Sequence, residues 1–358
     1  MSLLFRITVR IVGALPLLAM AADAVAKTPA EHDLLFQSHD VLEMRIEGPI
    51  STLKRKRPDD EDLPATASWT ESDGRTVQVS VGLRTRGNYR RDRKTCVFPP
   101  VRLNFKTSEV DGTLFEKQDK LKLVSNCKDS SRRYEQAVLR EYLAYRLLNA
   151  LTDVSYRVRL LRVTFDDTES KRSRVSYAFA IEHKDRFSKR TDLPIVEIPG
   201  TTPSQLNPGY ANLISIYQYL MGNTDYSQIA GAEGENCCHN VNLYGDEATG
   251  LFPVPYDFDI TGMVNAPYAS PNPRFNLRNI RQRLYRGRCS TNQHIPATLQ
   301  LIANSKSALY ELVESQEQLD SSSRKNMRSY LNSFFKIVEN PKTLDKKIIQ
   351  ACSGSRPR

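Results

Sequence analysis

The chain has 358 residues, a hydrophobic fraction of 40% and a formal net charge of +10. That hydrophobic content excludes a disordered chain, and the length is enough to bury a substantial core. The excess of Lys and Arg favours acidic partners such as nucleotides, anionic glycans or lipid head groups.

The first 26 residues read as a secretory signal peptide. Arg6 and Arg10 form the basic start, IVGALPLLAMAA (11–22) the apolar core, and Ala24-Val25-Ala26 a small-x-small cleavage pattern. An uncleaved anchor is the other reading, but this core falls short of the ~20 apolar residues that span a bilayer. Cleavage after Ala26 leaves an exported chain, periplasmic or secreted, with a charge of +9, because Arg6, Arg10 and Asp23 are lost from the +10 total. No later stretch has transmembrane length.

Alternation of Leu42, Met44 and Ile46 with charged residues predicts a strand over 41–47, and KRKRPDDEDLP after it an exposed loop. Further strands are expected at 76–83, 101–105 and 120–124, then a helix over 133–151 capped by Ser130 or Ser131. Strands at 156–165 and 175–182 precede a Pro- and Gly-containing joint at 194–209. A helix over 211–221 then runs into Gly222-Asn223-Thr224-Asp225. VNLYG and LFPVPYDF read as two short strands around Gly250, and 296–350 as mostly helical. This order predicts an α+β protein of two lobes, a β-rich one (27–195) and a mainly helical one (196–358).

Six cysteines, Cys96, Cys127, Cys237, Cys238, Cys289 and Cys352, in an exported chain predict disulfides with no pairing specified. Zinc binding at Cys237-Cys238-His239 is disfavoured, because adjacent ligands do not converge on one ion. The five histidines are scattered and no G-x-S-x-G occurs, which leaves no hydrolase triad. RTRGNYRRDRK (84–94) is dense in Arg and Lys around Gly87, and suits an anion cradle or a solvated hairpin tip equally. Export and the lack of interleaved aromatics speak against nucleic acid as a partner.

The richest constellation lies between 223 and 259. Asp225 sits in a turn after an apolar helix, Asn240 just before a strand, and Asp257 with Asp259 just after the next one. A hairpin between Asn240 and Asp257 would bring both to one ion, a set suited to magnesium-dependent phosphoryl transfer. The same residue types are also ordinary turn formers.

NTD…HNVNLY…PVPYDFDITG resembles the signature of the spore-coat CotH family of atypical protein-kinase-like proteins and, more distantly, HipA-type kinases. RTRGNYRR (84–91) and KLKLVSNCKDSSRRYEQAVLREYLAYRLLNAL (120–151) follow the same order, so the likeness covers about 76–262. It implies a bilobal protein-kinase-like fold and transfer of a phosphoryl or nucleotidyl group from Mg-ATP (or the Mn2+ complex) to a protein or envelope acceptor. By position it makes Asp225 the catalytic base, and Asn240, Asp257 and Asp259 the metal ligands. Arg86 and Glu141 join the nucleotide side, where Arg102 or Lys122 stands in for the expected lysine. This chain departs from the pattern in about ten extra residues between Asp225 and Asn240, and in Ser227 where HipA-type loops carry His. A disulfide from Cys237 or Cys238 would brace that insert. The competing reading is a non-catalytic, disulfide-braced envelope protein that binds an acidic ligand.

Overall fold

The computed structural model describes residues 33–128, 131–232 and 234–354, so the signal-peptide reading and Ser130 lie outside the described residues. The chain begins with β1 (Leu42–Gly48), whose even residues point inward and odd ones outward. Helix α1 (Ile50–Lys56) follows directly. Lys54, Arg55 and Lys56 occupy its last turn, where cations complement the C-terminal carbonyls, and Arg57 closes it in the left-handed region. Part of the charged run that reads as a loop therefore ends a helix.

Strands β2 (Leu63–Thr70), β3 (Thr76–Thr85), β4 (Val101–Phe105) and β5 (Lys120–Ser125) continue antiparallel in chain order. After α2 (Arg132–Asn149) come β6 (Val158–Asp167) and β7 (Ser173–Ile181). β7 pairs with both β5 and β6, and β6 runs parallel to β1, so the sheet closes as β1-β2-β3-β4-β5-β7-β6. Its interior is filled by Met44, Ile46, Trp69, Leu83, Leu103, Leu121, Val163 and their neighbours. Burying each such side chain contributes about 2 kcal/mol.

This closed mixed barrel corrects the expected bilobal protein-kinase-like fold. The cause is β2, where the sequence reading expects no strand, and the parallel β1–β6 pair, which together leave the sheet no free edge.

Helix α2 packs against the outside of the barrel through Tyr142 and Tyr145, whose rings meet Phe179. It shares one core with α4 (Pro208–Met221) and α7 (Ser321–Val338). Between them run α3 (Lys184–Thr191), the short β8 (Ile195–Val196) and the hairpin β9 (Val241–Asp246) and β10 (Gly250–Pro255), with β8 edging β9. Helices α5 (Ile295–Asn304) and α6 (Lys306–Glu314) precede α7, and α8 (Pro341–Leu344) follows it. Among the described residues no helix is long and apolar enough to cross a membrane.

All six cysteines are paired, as Cys96–Cys127, Cys237–Cys238 and Cys289–Cys352. The first ties the β3–β4 connection to the end of β5, and the last ties the approach to α5 to the chain's C-terminal end. The middle pair joins adjacent residues, so it does not anchor the insert to another segment. Backbone bonds do that instead: Cys237 N–H to the Ile198 carbonyl (2.8 Å), His239 N–H to that of Ala230 (3.1 Å) and Ser227 N–H to that of His239 (2.9 Å).

Candidate functional site

A cleft of about 410 Å³ opens where the end of the barrel meets α2 and the β9–β10 hairpin. Its acidic wall begins at α4. Asn207 caps the helix by accepting from the Tyr210 N–H (3.0 Å), and Gly222 ends it at φ +65°, where a side chain would collide with the Tyr330 hydroxyl. The chain then turns through Asn223, whose side-chain oxygen accepts from the Asp225 N–H (2.8 Å) and sets Asp225 at the cleft. Arg286 holds this turn from behind. Its guanidinium donates to the carbonyls of Thr224 (3.0 Å) and Tyr226, and stacks between the Tyr226 and Phe275 rings.

Asp225 is held on both oxygens. His239 Nε2 lies 3.0 Å from Oδ1, and Asn240 Nδ2 donates to Oδ2 (3.1 Å) and to the Asp225 carbonyl (2.7 Å). The bond to Asp225 raises the His239 pKa against the effect of partial burial.

The hairpin brings Asn240 and Asp257 to one place. Val241 pairs with Pro255, and the Tyr256 N–H donates to the Asn240 carbonyl (3.0 Å) just beyond that pair. Both residues adopt left-handed backbone, at φ 53° and 61°, a conformation that is costly for residues other than glycine. The Asp257 N–H donates to the Tyr145 hydroxyl of α2 (2.8 Å), which fixes the turn against the helix.

Asp259 lies buried behind the exposed Asp257 and accepts from the Tyr268 hydroxyl (2.9 Å). Burial first, and then the neighbouring Asp257, push its pKa up to about 8. Glu141, one turn before Tyr145 on α2, is also buried, and burial together with Asp259 raises its carboxyl well above the usual range.

The basic wall comes from the barrel. Arg90 reaches between Glu141 (3.6 Å) and the Ser125 carbonyl (2.6 Å). Although burial opposes it, Tyr268, Glu141 and the two aspartates keep this guanidinium firmly charged. Arg86 lines the cleft with its Nε buried and unpartnered, and burial lowers its pKa. Lys122 stands at the mouth, where desolvation by the walls, followed by Arg86, Lys184 and Arg102, lowers its ammonium to about 8.

Of the residues singled out in the sequence, Asp225, Asn240, Asp257, Asp259, Glu141, Arg86 and Lys122 all line this one cleft. Arg102 does not. It pairs with Lys122 across the sheet but sits one strand further from the opening. Sequence reasoning placed Arg90 only within the basic run 84–94, and missed Tyr268 and the holding role of Arg286. His239, the one histidine inside the suspected site, reads in the sequence as a supporting or packing residue more often than as a general base, and the structure places it on Asp225.

Among the described residues no group of three or more His, Cys, Asp or Glu side chains is arranged to hold a metal. The donor set here is two carboxylates and an amide, which suits a magnesium-like ion that keeps water and takes phosphate oxygens as its other ligands. Burial, and then the nearby Asp257, raise the Asp259 pKa, and a cation bound between the two carboxylates would relieve their repulsion. No protein-family model matches the chain, and no curated protein sequence matches it.

Proposed function

We propose that the cleft binds a nucleoside triphosphate with a divalent metal and transfers its phosphoryl, or nucleotidyl, group to a hydroxyl of a protein or envelope acceptor. The observation that carries this reading is a single cleft with carboxylates Asp257 and Asp259 on one wall and Arg86, Arg90 and Lys122 on the other. A metal–nucleotide complex has the matching double character, a dication joined to a polyanion. The CotH-like order of the motifs supports the same chemistry for Asp225, Asn240 and Asp257. Export, to the periplasm or outside the cell, is part of the proposal, and three disulfides support it.

In the proposed reaction Asp225 accepts the proton of the acceptor hydroxyl, whose oxygen forms the new bond to phosphorus. The bond from phosphorus to the departing nucleotide breaks, and its electron pair leaves with that oxygen. His239 and Asn240 keep the Asp225 carboxylate oriented, and Arg86 and Lys122 offset charge on the transferred group. A bound magnesium or manganese ion, held by Asp257, Asp259 and Asn240, would neutralise phosphate oxygens.

A thermal-shift titration with Mg-ATP and other Mg-nucleotides, on the wild type and Asp257→Ala, tests this. The wild type should gain several degrees with at least one nucleotide, and Asp257→Ala should lose that gain. No shift with any nucleotide overturns the proposal. A shift that needs no metal and survives Asp257→Ala favours the second reading, an acidic-ligand binder, which the basic wall alone would serve.

A further inference from the structure

A second cavity of about 320 Å³ lies between the start of α2 and the first turn of α7. Arg132, Arg133 and Arg140 reach it from α2, and Arg281 closes it from the segment that follows the cleft. Against these four arginines the lining offers one carboxylate, Asp320. That carboxylate is already engaged, since it accepts from the Ser323 N–H (2.7 Å) and pairs with Arg132 (3.2 Å).

Among the described residues the other three guanidiniums have no acidic partner within 4 Å. Arg140 donates to the Val264 carbonyl (2.7 Å) and the Ser323 hydroxyl (2.8 Å). Arg281 donates to the Gly262 carbonyl (3.3 Å) and stacks on the Tyr330 ring. Arg133 is exposed, and it makes no ion pair with the described residues. Desolvation by burial lowers the Arg140 pKa to about 10; Asp320 opposes this, and Arg281 and Arg133 add to it.

Like charges do not gather around a cavity without a cost, and a counter-anion is the simplest compensation. Planar guanidinium forks match the paired oxygens of a tetrahedral oxyanion. Phosphate, with about 1.5 to 2 negative charges at neutral pH, offsets that excess.

We infer that this arginine-lined cavity is a phosphate-binding site, distinct from the cleft, that takes inorganic phosphate or a phosphomonoester group. It does not depend on the proposed transfer reaction. The two cavities share no lining residue, although Arg140 immediately precedes Glu141 and the Val264 carbonyl that Arg140 holds follows Asp259.

Isothermal titration with sodium phosphate, at ionic strength kept constant with sodium chloride, tests the site. Variants are Arg133→Ala, Arg133→Ala with Arg281→Ala, and Lys122→Ala as a cleft control. Wild type and Lys122→Ala should bind phosphate with equal affinity, Arg133→Ala about tenfold more weakly, and the double variant not detectably. Arg133 is exposed, so its loss should leave the far-UV spectrum and the melting temperature unchanged. The inference is overturned if phosphate does not bind, or if binding survives Arg133→Ala unchanged. It is equally overturned if Lys122→Ala abolishes binding, because the anion then sits in the cleft.

Discussion

Lys122 gives the cleft a proton-linked signature that does not need the acceptor to be known. In the free protein its ammonium titrates near pH 8, below the usual 10.5, because the cleft walls desolvate it and Arg86 crowds it. The unfolded chain therefore binds more protons than the folded one between these values, so this group's contribution to stability rises with pH across that window. A polyphosphate placed between Arg86 and Lys122 reverses the cause and restores the lysine's proton. Nucleotide binding should then take up protons, about 0.1 per nucleotide at pH 7 and about 0.9 at pH 9. The same linkage weakens apparent affinity about tenfold from pH 7 to pH 9. Titration calorimetry of Mg-ATP in two buffers of different ionisation enthalpy reads the uptake directly, and Lys122→Met should abolish it along with most of the pH dependence. Binding at pH 9 without proton uptake, or with uptake unchanged in Lys122→Met, would refute the placement of phosphates against this wall.

Asp225→Asn should keep the wild-type melting temperature within a degree or two and the affinity for nucleotide, while transfer to an acceptor, followed with labelled nucleotide, falls by about 10²–10⁴-fold. Asn240→Gly should fold as stably as Asn240→Ala or better, since only glycine adopts φ 53° freely. Both variants should lose Mg-nucleotide binding by calorimetry if the amide belongs to the site. Arg286→Ala removes two charge-assisted bonds to the Thr224 and Tyr226 carbonyls and should cost about 2–3 kcal/mol in urea denaturation. Replacing Cys289 and Cys352 together by Ser frees a loop closed over a separation of 63 residues, which in the chain-entropy account costs about 4 kcal/mol and is measured in the same way.

Much of the scaffold was legible because its signals are local. Alternation marks β1 and β3, and the apolar face of α2 extends around most of its circumference because the helix is buried between barrel and helices. β2 was not legible. LPATASWT opens with Leu-Pro and carries small residues, so its membership in the sheet shows only in the partners of Ala67 and Trp69. Helix α3 offers only Phe187 as a buried anchor, too little for a periodic pattern. Barrel closure depends on β1 lying beside β6, a pairing across more than a hundred residues that no alternation encodes. The candidate site divides in the same way. Asp225, Asn240 and Asp257 announce themselves through turn and hairpin order. Arg90 and Tyr268 acquire their places only when the barrel end meets Asp259 and Glu141.

Several local costs meet in the cleft, and their signs are informative. Asn240 and Asp257 hold left-handed backbone, Asp259 and Glu141 are acids buried beside each other, and Arg86 has an unpartnered buried nitrogen. The elements beneath them obey ordinary rules: a capped α4, a regular hairpin, and an α2 whose Tyr145 receives the Asp257 N–H. Such departures on an otherwise consistent scaffold are expected where function is built in. A simple anion would relieve Arg86 and Lys122 but increase repulsion with Asp257, and a simple cation would do the reverse. Only a ligand that carries both charges, oriented with its cation toward the hairpin and its phosphates toward the barrel, relieves both walls at once. Metal and nucleotide should therefore bind each more tightly in the presence of the other, and by the same factor.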